Sequence, residues 1–188
     1  MSNFKKFEKV LNPASTALLI IDIQERILPV IHNYQNVVQN TIKLIKGFKV
    51  MNLPIFYTEQ YPKGLGSTKS EIKNELGNSE YFDKMSFSCL GAGDLFSKFK
   101  ENNKSQIVVT GVETHVCVQQ TVLDLIENGF QVNVAADAVS SRRENDYRFA
   151  LDRMRHHGAE ITTHEAILFE LLNVCGTDTF KQVSKIVK

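Results

Sequence analysis

Three residues far apart in this chain carry the functional groups of an acyl-transfer site: the thiol of Cys117, the carboxylate of Asp22 and the ammonium of Lys84. Cys117 lies in "VVTGVETHVCVQQTVLDLI", an apolar run that breaks at Gly111 and turns helical after a Thr. A thiol attacks a carbonyl carbon only as the thiolate. A helix start favours that form, because unpaired N–H groups and the macrodipole stabilise negative charge. The same N–H groups can hold an oxyanion. With Thr114 as N-cap, Cys117 falls in the first turn, and a thiol so activated should be alkylated near neutral pH. The plainer reading of Cys117 is a small buried hydrophobe. Asp22 directly follows the apolar run "ALLII". A carboxylate there can take the thiol proton and return it to a leaving group, or it can simply cap a turn. Lys84, in "YFDKMSFSC", would stabilise a thiolate and hold a carboxylate if the fold brought it near them. From spacing alone it reads as a surface lysine. Cys89 and Cys175 have no comparable placement and read as packing residues.

The five histidines (His32, His115, His156, His157 and His164) show no HxxxH spacing, no CxxC accompanies them, and no metal set is expected. His115 stands two residues before Cys117, and neighbours two apart on a helix do not face each other. It reads as a pocket-wall or buried polar residue. There is no GxGxxG and no P-loop; "GLG" and "GAG" are too short to bind phosphate.

The elements that must position these groups alternate in type. "ALLII" (17–21), "PIFYT" (54–58), "QIVVT" (106–110), "QVNVAA" (131–136) and "EITT" (160–163) read as strands, the first buried on both faces. Helical spacing joins Val38, Ile42, Ile45 and Phe48, and later Val118, Val122, Leu125 and Ile126 up to a stop at Asn128-Gly129. A further helix runs from Arg143 to His157 and ends at Gly158. Such alternation predicts an α/β fold, a parallel sheet with helices on both faces. Glu59 to Asp83 reads as one long irregular piece, a lid, a subunit contact or an ordinary surface loop. In open parallel sheets ligands bind beyond the carboxyl ends of the strands. That rule nominates Asp22, Glu59, the Gly111–Cys117 segment and Asp137.

Length and composition bound the rest. A chain of 188 residues with 43% hydrophobic and 23% charged residues suits a single domain with a full core. A net charge of +1 gives no electrostatic case for nucleic acid or an acidic membrane as partner. Lys5, Lys6 and the lysines at 181, 185 and 188 read as solvated faces. Three widely spaced cysteines suit a reducing compartment. No run reaches membrane-helix length, and "MSNFKKFEKVLNPAST" lacks an apolar stretch after its lysines. A cytoplasmic location is expected.

Together "LLIIDIQERI", "FDKMSFSCL" and "VVTGVETHVCVQQT" resemble the motifs of the isochorismatase-like cysteine hydrolase superfamily, over about Ala17 to Leu172. "TEQYPKGLGST" is similar to the branch of isochorismatase domain-containing proteins. The resemblance implies a three-layer, Rossmann-like α/β/α domain with about six largely parallel strands, spanning residues 1–188. It implies an Asp22–Lys84–Cys117 triad, no cofactor, a small-molecule substrate and a homo-oligomer. It also implies a cis peptide between Val112 and Glu113 that aims the N–H groups of Glu113 and Cys117 at the substrate carbonyl. Phe87 and His115 are expected as pocket walls. Nicotinamidases of that superfamily bind a metal through an Asp and histidines after the second strand. "YTEQYPKGLG" offers neither, so that activity is disfavoured. The expected reaction is hydrolysis of a small C–N substrate through a thioester. Vinyl-ether cleavage with Asp22 as acid, or a non-catalytic binding protein retaining a relic site, are the alternatives.

Overall fold

The computed structural model describes residues 6–188, so Lys5 lies outside it. Six strands, β1 (Thr16–Ile21), β2 (Ile55–Gln60), β3 (Glu80–Lys84), β4 (Gln106–Val112), β5 (Gln131–Ser140) and β6 (Glu160–Thr162), form one sheet of order β3-β2-β1-β4-β5-β6. Every pairing in it is parallel. The helices are α1 (Tyr34–Val50), α2 (Pro62–Leu65), α3 (Ser70–Leu76), α4 (Leu95–Glu101), α5 (Gln119–Glu127), α6 (Glu144–His156), α7 (His164–Leu172) and α8 (Asp178–Val187).

Strand alternation divides the core in two. On β1, Leu18 and Ile20 face a layer built with Val38, Leu44, Ile45 and Phe48 of α1 and Ile167, Leu168 and Leu171 of α7. Ala17, Leu19 and Ile21 face Leu95 and Phe99 of α4, Val122 and Leu125 of α5, and Leu151 and Met154 of α6. All six β1 residues are buried, because a parallel strand covered on both faces leaves no side for polar residues. Among the described residues, no helix is long and apolar enough to cross a membrane.

The chain builds outward from β1 to β3, then crosses back to β4 and builds outward to β6. The strand order therefore reverses between β1 and β4, and their carboxyl ends border the crevice where such sheets bind ligands. Each strand is followed by a non-glycine residue with left-handed backbone, Asp22 at φ 56° and Glu113 at φ 55°. Such conformations cost about 1–3 kcal/mol and persist where the surroundings fix them. Just before Glu113, Gly111 (φ 153°) packs so closely on β1 that a Cβ there would collide with the Ile21 carbonyl oxygen.

Several expectations need correction. The peptide bonds among the described residues are all trans, including Val112–Glu113. The chain turns there through the left-handed Glu113, whose side chain an arginine holds. Thr114 is not an N-cap: Glu113 occupies that position without a side-chain cap, and the helix opens with a wide π-type turn, Thr114–Val118, before α5. The buried Thr114 hydroxyl has no partner. The piece from Glu59 to Asp83 is not irregular, since it finishes β2, carries α2 and α3, and begins β3. Short elements without a long periodic face hid there. Cys175, read as a packing residue, is exposed.

Candidate active site

β1 and β2 are in register with Ile21 opposite Thr58, which sets Asp22 beside the end of β2. The Asp22 N–H donates to the Thr58 carbonyl (3.2 Å), and the Thr58 hydroxyl donates to Asp22 Oδ1 (2.7 Å). Lys84 ends β3, two strands away, and reaches across β2. Its Nζ donates to Asp22 Oδ2 (2.7 Å), Gln60 Oε1 (2.8 Å), and the carbonyls of Phe87 (3.0 Å) and Ser86 (3.2 Å). The Lys84 side chain is 0% exposed and that of Asp22 4%. An ion pair this deep holds because nearly every polar atom is matched. Burial opposes the Lys84 charge, but the Asp22 carboxylate and its hydrogen bond outweigh it, so the pKa is raised.

The segment after Lys84 is tied to the helical segment that carries Cys117. Cys89 N–H donates to the Thr121 hydroxyl (2.9 Å), which donates to the Cys117 carbonyl (2.7 Å), and the Ser88 hydroxyl donates to Asp124 Oδ2 (2.5 Å). Phe87, just before these residues, and Cys117 line the same cavity. This cavity, of about 260 Å³, is lined by Asp22 and Cys117 together with Ile27, Gln60, Leu65, Phe87, Val112, Glu113, Val116 and Arg142. Larger cavities lie elsewhere, about 820 Å³ at the opposite sheet end, 440 Å³ between α1 and α8 and 330 Å³ beside the start of β2, and none is lined by Asp22, Lys84 or Cys117.

Cys117 is buried in the first turn after β4, as its sequence position suggests, but its charge state is not the expected one. Burial, then the negative charge of Asp22, push the thiol pKa up, and Lys84 only partly counters them. A raised pKa favours the protonated thiol over a standing thiolate next to Asp22. Cys89, fully buried behind the site, is pushed up to about 12 by the same burial and by Asp22.

Of the four strand ends nominated, two meet at this cavity, Asp22 and the Gly111–Cys117 segment. Glu59 instead is buried within β2, accepting from the Thr68 N–H (2.6 Å) and hydroxyl (2.8 Å) and from the Tyr81 hydroxyl (3.2 Å). Asp137 sits where β5 slips register against β4, and it anchors α7 by accepting from the His164 N–H (2.9 Å) and pairing with His164 Nδ1 (2.6 Å). Phe87 lines the cavity. His115 is not among the lining residues; its Nδ1 meets the Ser141 hydroxyl at 3.0 Å, behind Glu113. Sequence reasoning missed Thr58 and Gln60. Thr58 leaves one trace, a polar residue at the end of an apolar strand. Among the described residues, no group of three or more His, Cys, Asp or Glu is arranged to hold a metal ion.

The isochorismatase domain family model matches residues 16–166. Isochorismatase family protein 1B of Dictyostelium discoideum is 39% identical over 94% of this chain and 87% of its own length. The structure of MAR1 ribonuclease from Caenorhabditis elegans superposes with a TM-score of 0.89 at 36% identity, covering 94% of this chain and 91% of that one. The YcaC gene product of Escherichia coli, described as an octameric hydrolase of unknown specificity, superposes with a TM-score of 0.89 at 26% identity, covering 97% and 91%. Fold, strand-end site and similarity along nearly the whole chain agree: this protein belongs to the isochorismatase family of hydrolases.

Proposed function

We propose that this protein hydrolyses a small amide-like C–N bond through a thioester on Cys117. The observation that carries the reading is one cavity with the Cys117 thiol and the Asp22 carboxylate on its wall, Asp22 being locked by Lys84 at 2.7 Å. Asp22 takes the proton of Cys117 as sulfur attacks the carbonyl carbon. Backbone N–H groups of the turn that carries Cys117 receive the oxyanion. When the tetrahedral species collapses, the C–N bond breaks and Asp22 protonates the departing amine. Water then enters, gives its proton to Asp22, and cleaves the thioester to the acid and free thiol. Lys84 is a positioning residue: it fixes Asp22 and balances its charge while the proton moves. The raised thiol pKa supports this order of events, since sulfur ionises as it attacks and the proton acceptor is already in place.

The alternative is vinyl-ether cleavage with Asp22 as general acid and Cys117 a bystander. A screen of small amides with wild type and Cys117→Ala separates the two. Amide turnover should be lost in the variant while its circular dichroism stays native. Turnover that survives loss of Cys117 but not Asp22→Asn contradicts the thioester route and selects the alternative.

The ribonuclease description of the C. elegans protein finds no support at this site, since a phosphodiester needs free cations and both Lys84 and Arg142 are spent on carboxylates. Self-association, as described for the E. coli protein, belongs to this reading too. So does a reducing, cytoplasmic setting that keeps Cys117 a free thiol.

A further inference from the structure

The charges around the cavity cancel in place, and this bears on what the cavity accepts. Arg142 is the cationic side chain among its described lining residues. Its Nε and Nη2 grip Glu113 Oε1 and Oε2, each at 3.1 Å, in a fork-to-fork pair. The Glu113 side chain is 7% exposed, so releasing Arg142 to a ligand would leave a carboxylate buried at the wall. The second cation, Lys84, lies behind the wall with its donors committed to Asp22, Gln60, Ser86 and Phe87. Asp22 itself contributes negative charge. The rest of the wall is Ile27, Leu65, Phe87, Val112 and Val116 apart from the Gln60 amide, whose oxygen accepts from Lys84 and whose Nε2 donates to the Met85 carbonyl (2.9 Å). An entering carboxylate would lose its water and find no cation whose charge is not already balanced by a buried carboxylate, whereas a neutral acyl group loses little and gains apolar contact.

We propose that this cavity selects small, charge-neutral, apolar carboxamides and rejects those that carry a carboxylate, with the Glu113–Arg142 pair as the specificity determinant. The proposal deepens the cysteine-hydrolase reading and rests on it for its catalytic consequence. Its test needs only a reachable thiol, so the two can fail separately.

Iodoacetamide and iodoacetate are nearly equal in size and differ in charge. Each should be reacted with the whole protein at pH 9, and modification of Cys117 and Cys175 followed by peptide mass spectrometry. The exposed Cys175 reports the intrinsic preference of a solvated thiol, and taking the ratio of the two reagents at each cysteine cancels differences in thiol pKa. The expected result is an amide-to-acid ratio at Cys117 about tenfold or more above that at Cys175. Glu113→Gln, which leaves Arg142 unspent, should reduce that excess severalfold. Should Glu113→Gln fail to fold, Arg142→Met leaves the Glu113 charge uncompensated and should steepen the discrimination. Equal ratios at the two cysteines, an excess unmoved by these variants, or a Cys117 that neither reagent reaches while Cys175 is consumed would each overturn the proposal. Cys117-dependent turnover that prefers anionic amides would overturn it while leaving the hydrolase reading intact.

Discussion

Replacing Lys84 with methionine keeps the length of the side chain and removes its charge, and the structure sets the size of the effect. The ammonium has four acceptors within 3.2 Å. Its loss leaves the Asp22 carboxylate, 4% exposed, with Thr58 as its remaining side-chain donor, and strips a donor from Gln60 and two carbonyls. Breaking a buried ion pair from one side costs about 3–5 kcal/mol. That is a large share of the roughly 5–15 kcal/mol that holds a domain folded. At roughly 2–4 °C per kcal/mol for a chain of this size, the midpoint should fall by about 6–20 °C. Urea unfolding of wild type, Lys84→Met, Asp22→Asn and the double variant measures both the loss and the coupling. The double variant should recover roughly 1–3 kcal/mol of the summed losses, because no unpaired charge remains. A single loss below about 1 kcal/mol, the range of an exposed pair, or strictly additive losses, would refute the reasoning.

Three further outcomes follow from the same geometry. Asp22→Asn removes the nearby negative charge that raises the Cys117 pKa and leaves Lys84 in place, so the thiol should ionise at lower pH while amide turnover collapses; ultraviolet thiolate titration against Cys117→Ala checks the first half. Stability should decline at alkaline pH. The folded-state pKa values of Cys89 (from 9.0 to about 12), Tyr81 (from 10.0 to about 12) and Lys84 are all raised. Their contribution is therefore full below about pH 9 and is lost as pH climbs toward 12, and a urea midpoint unchanged from pH 8 to 11 would contradict it. Gly111→Ala forces a Cβ against the Ile21 carbonyl at a φ that side chains rarely adopt, and should cost more than about 1 kcal/mol by thermal melting; a neutral result would place β4 further from β1 than described.

The alternation of apolar runs with helical spacing made the sheet and its two helical layers legible, because strands buried on both faces write continuous hydrophobic sequence, as in "ALLII". β3 was not legible: "EYFDK" is an edge strand whose residues are mostly solvated, so it carries no apolar run, and with it went the placement of Lys84 on a strand end. The strand-end rule found Asp22 and the Cys117 turn but could not separate them from Glu59 and Asp137. Those two carboxylates serve packing partners, Thr68 and His164, that only the tertiary structure supplies. The charge state of Cys117 was misread for a related reason. A helix start lowers a thiol pKa, but burial beside a carboxylate raises it more, and neither the burial nor the carboxylate is visible from local sequence. Arg142 adjoins the strand ending at Ser140, yet its commitment to Glu113 needed both backbones in place.

The central claim is a covalent bond to one sulfur. Wild-type protein turning over a small amide should be acid-quenched within the first turnovers and its intact mass measured, followed by peptide mapping. The account predicts an added mass equal to the acyl group, confined to Cys117, removed by hydroxylamine and missing from Cys117→Ser. Steady turnover with no acyl mass at any time point, or with the mass on another residue, would contradict it.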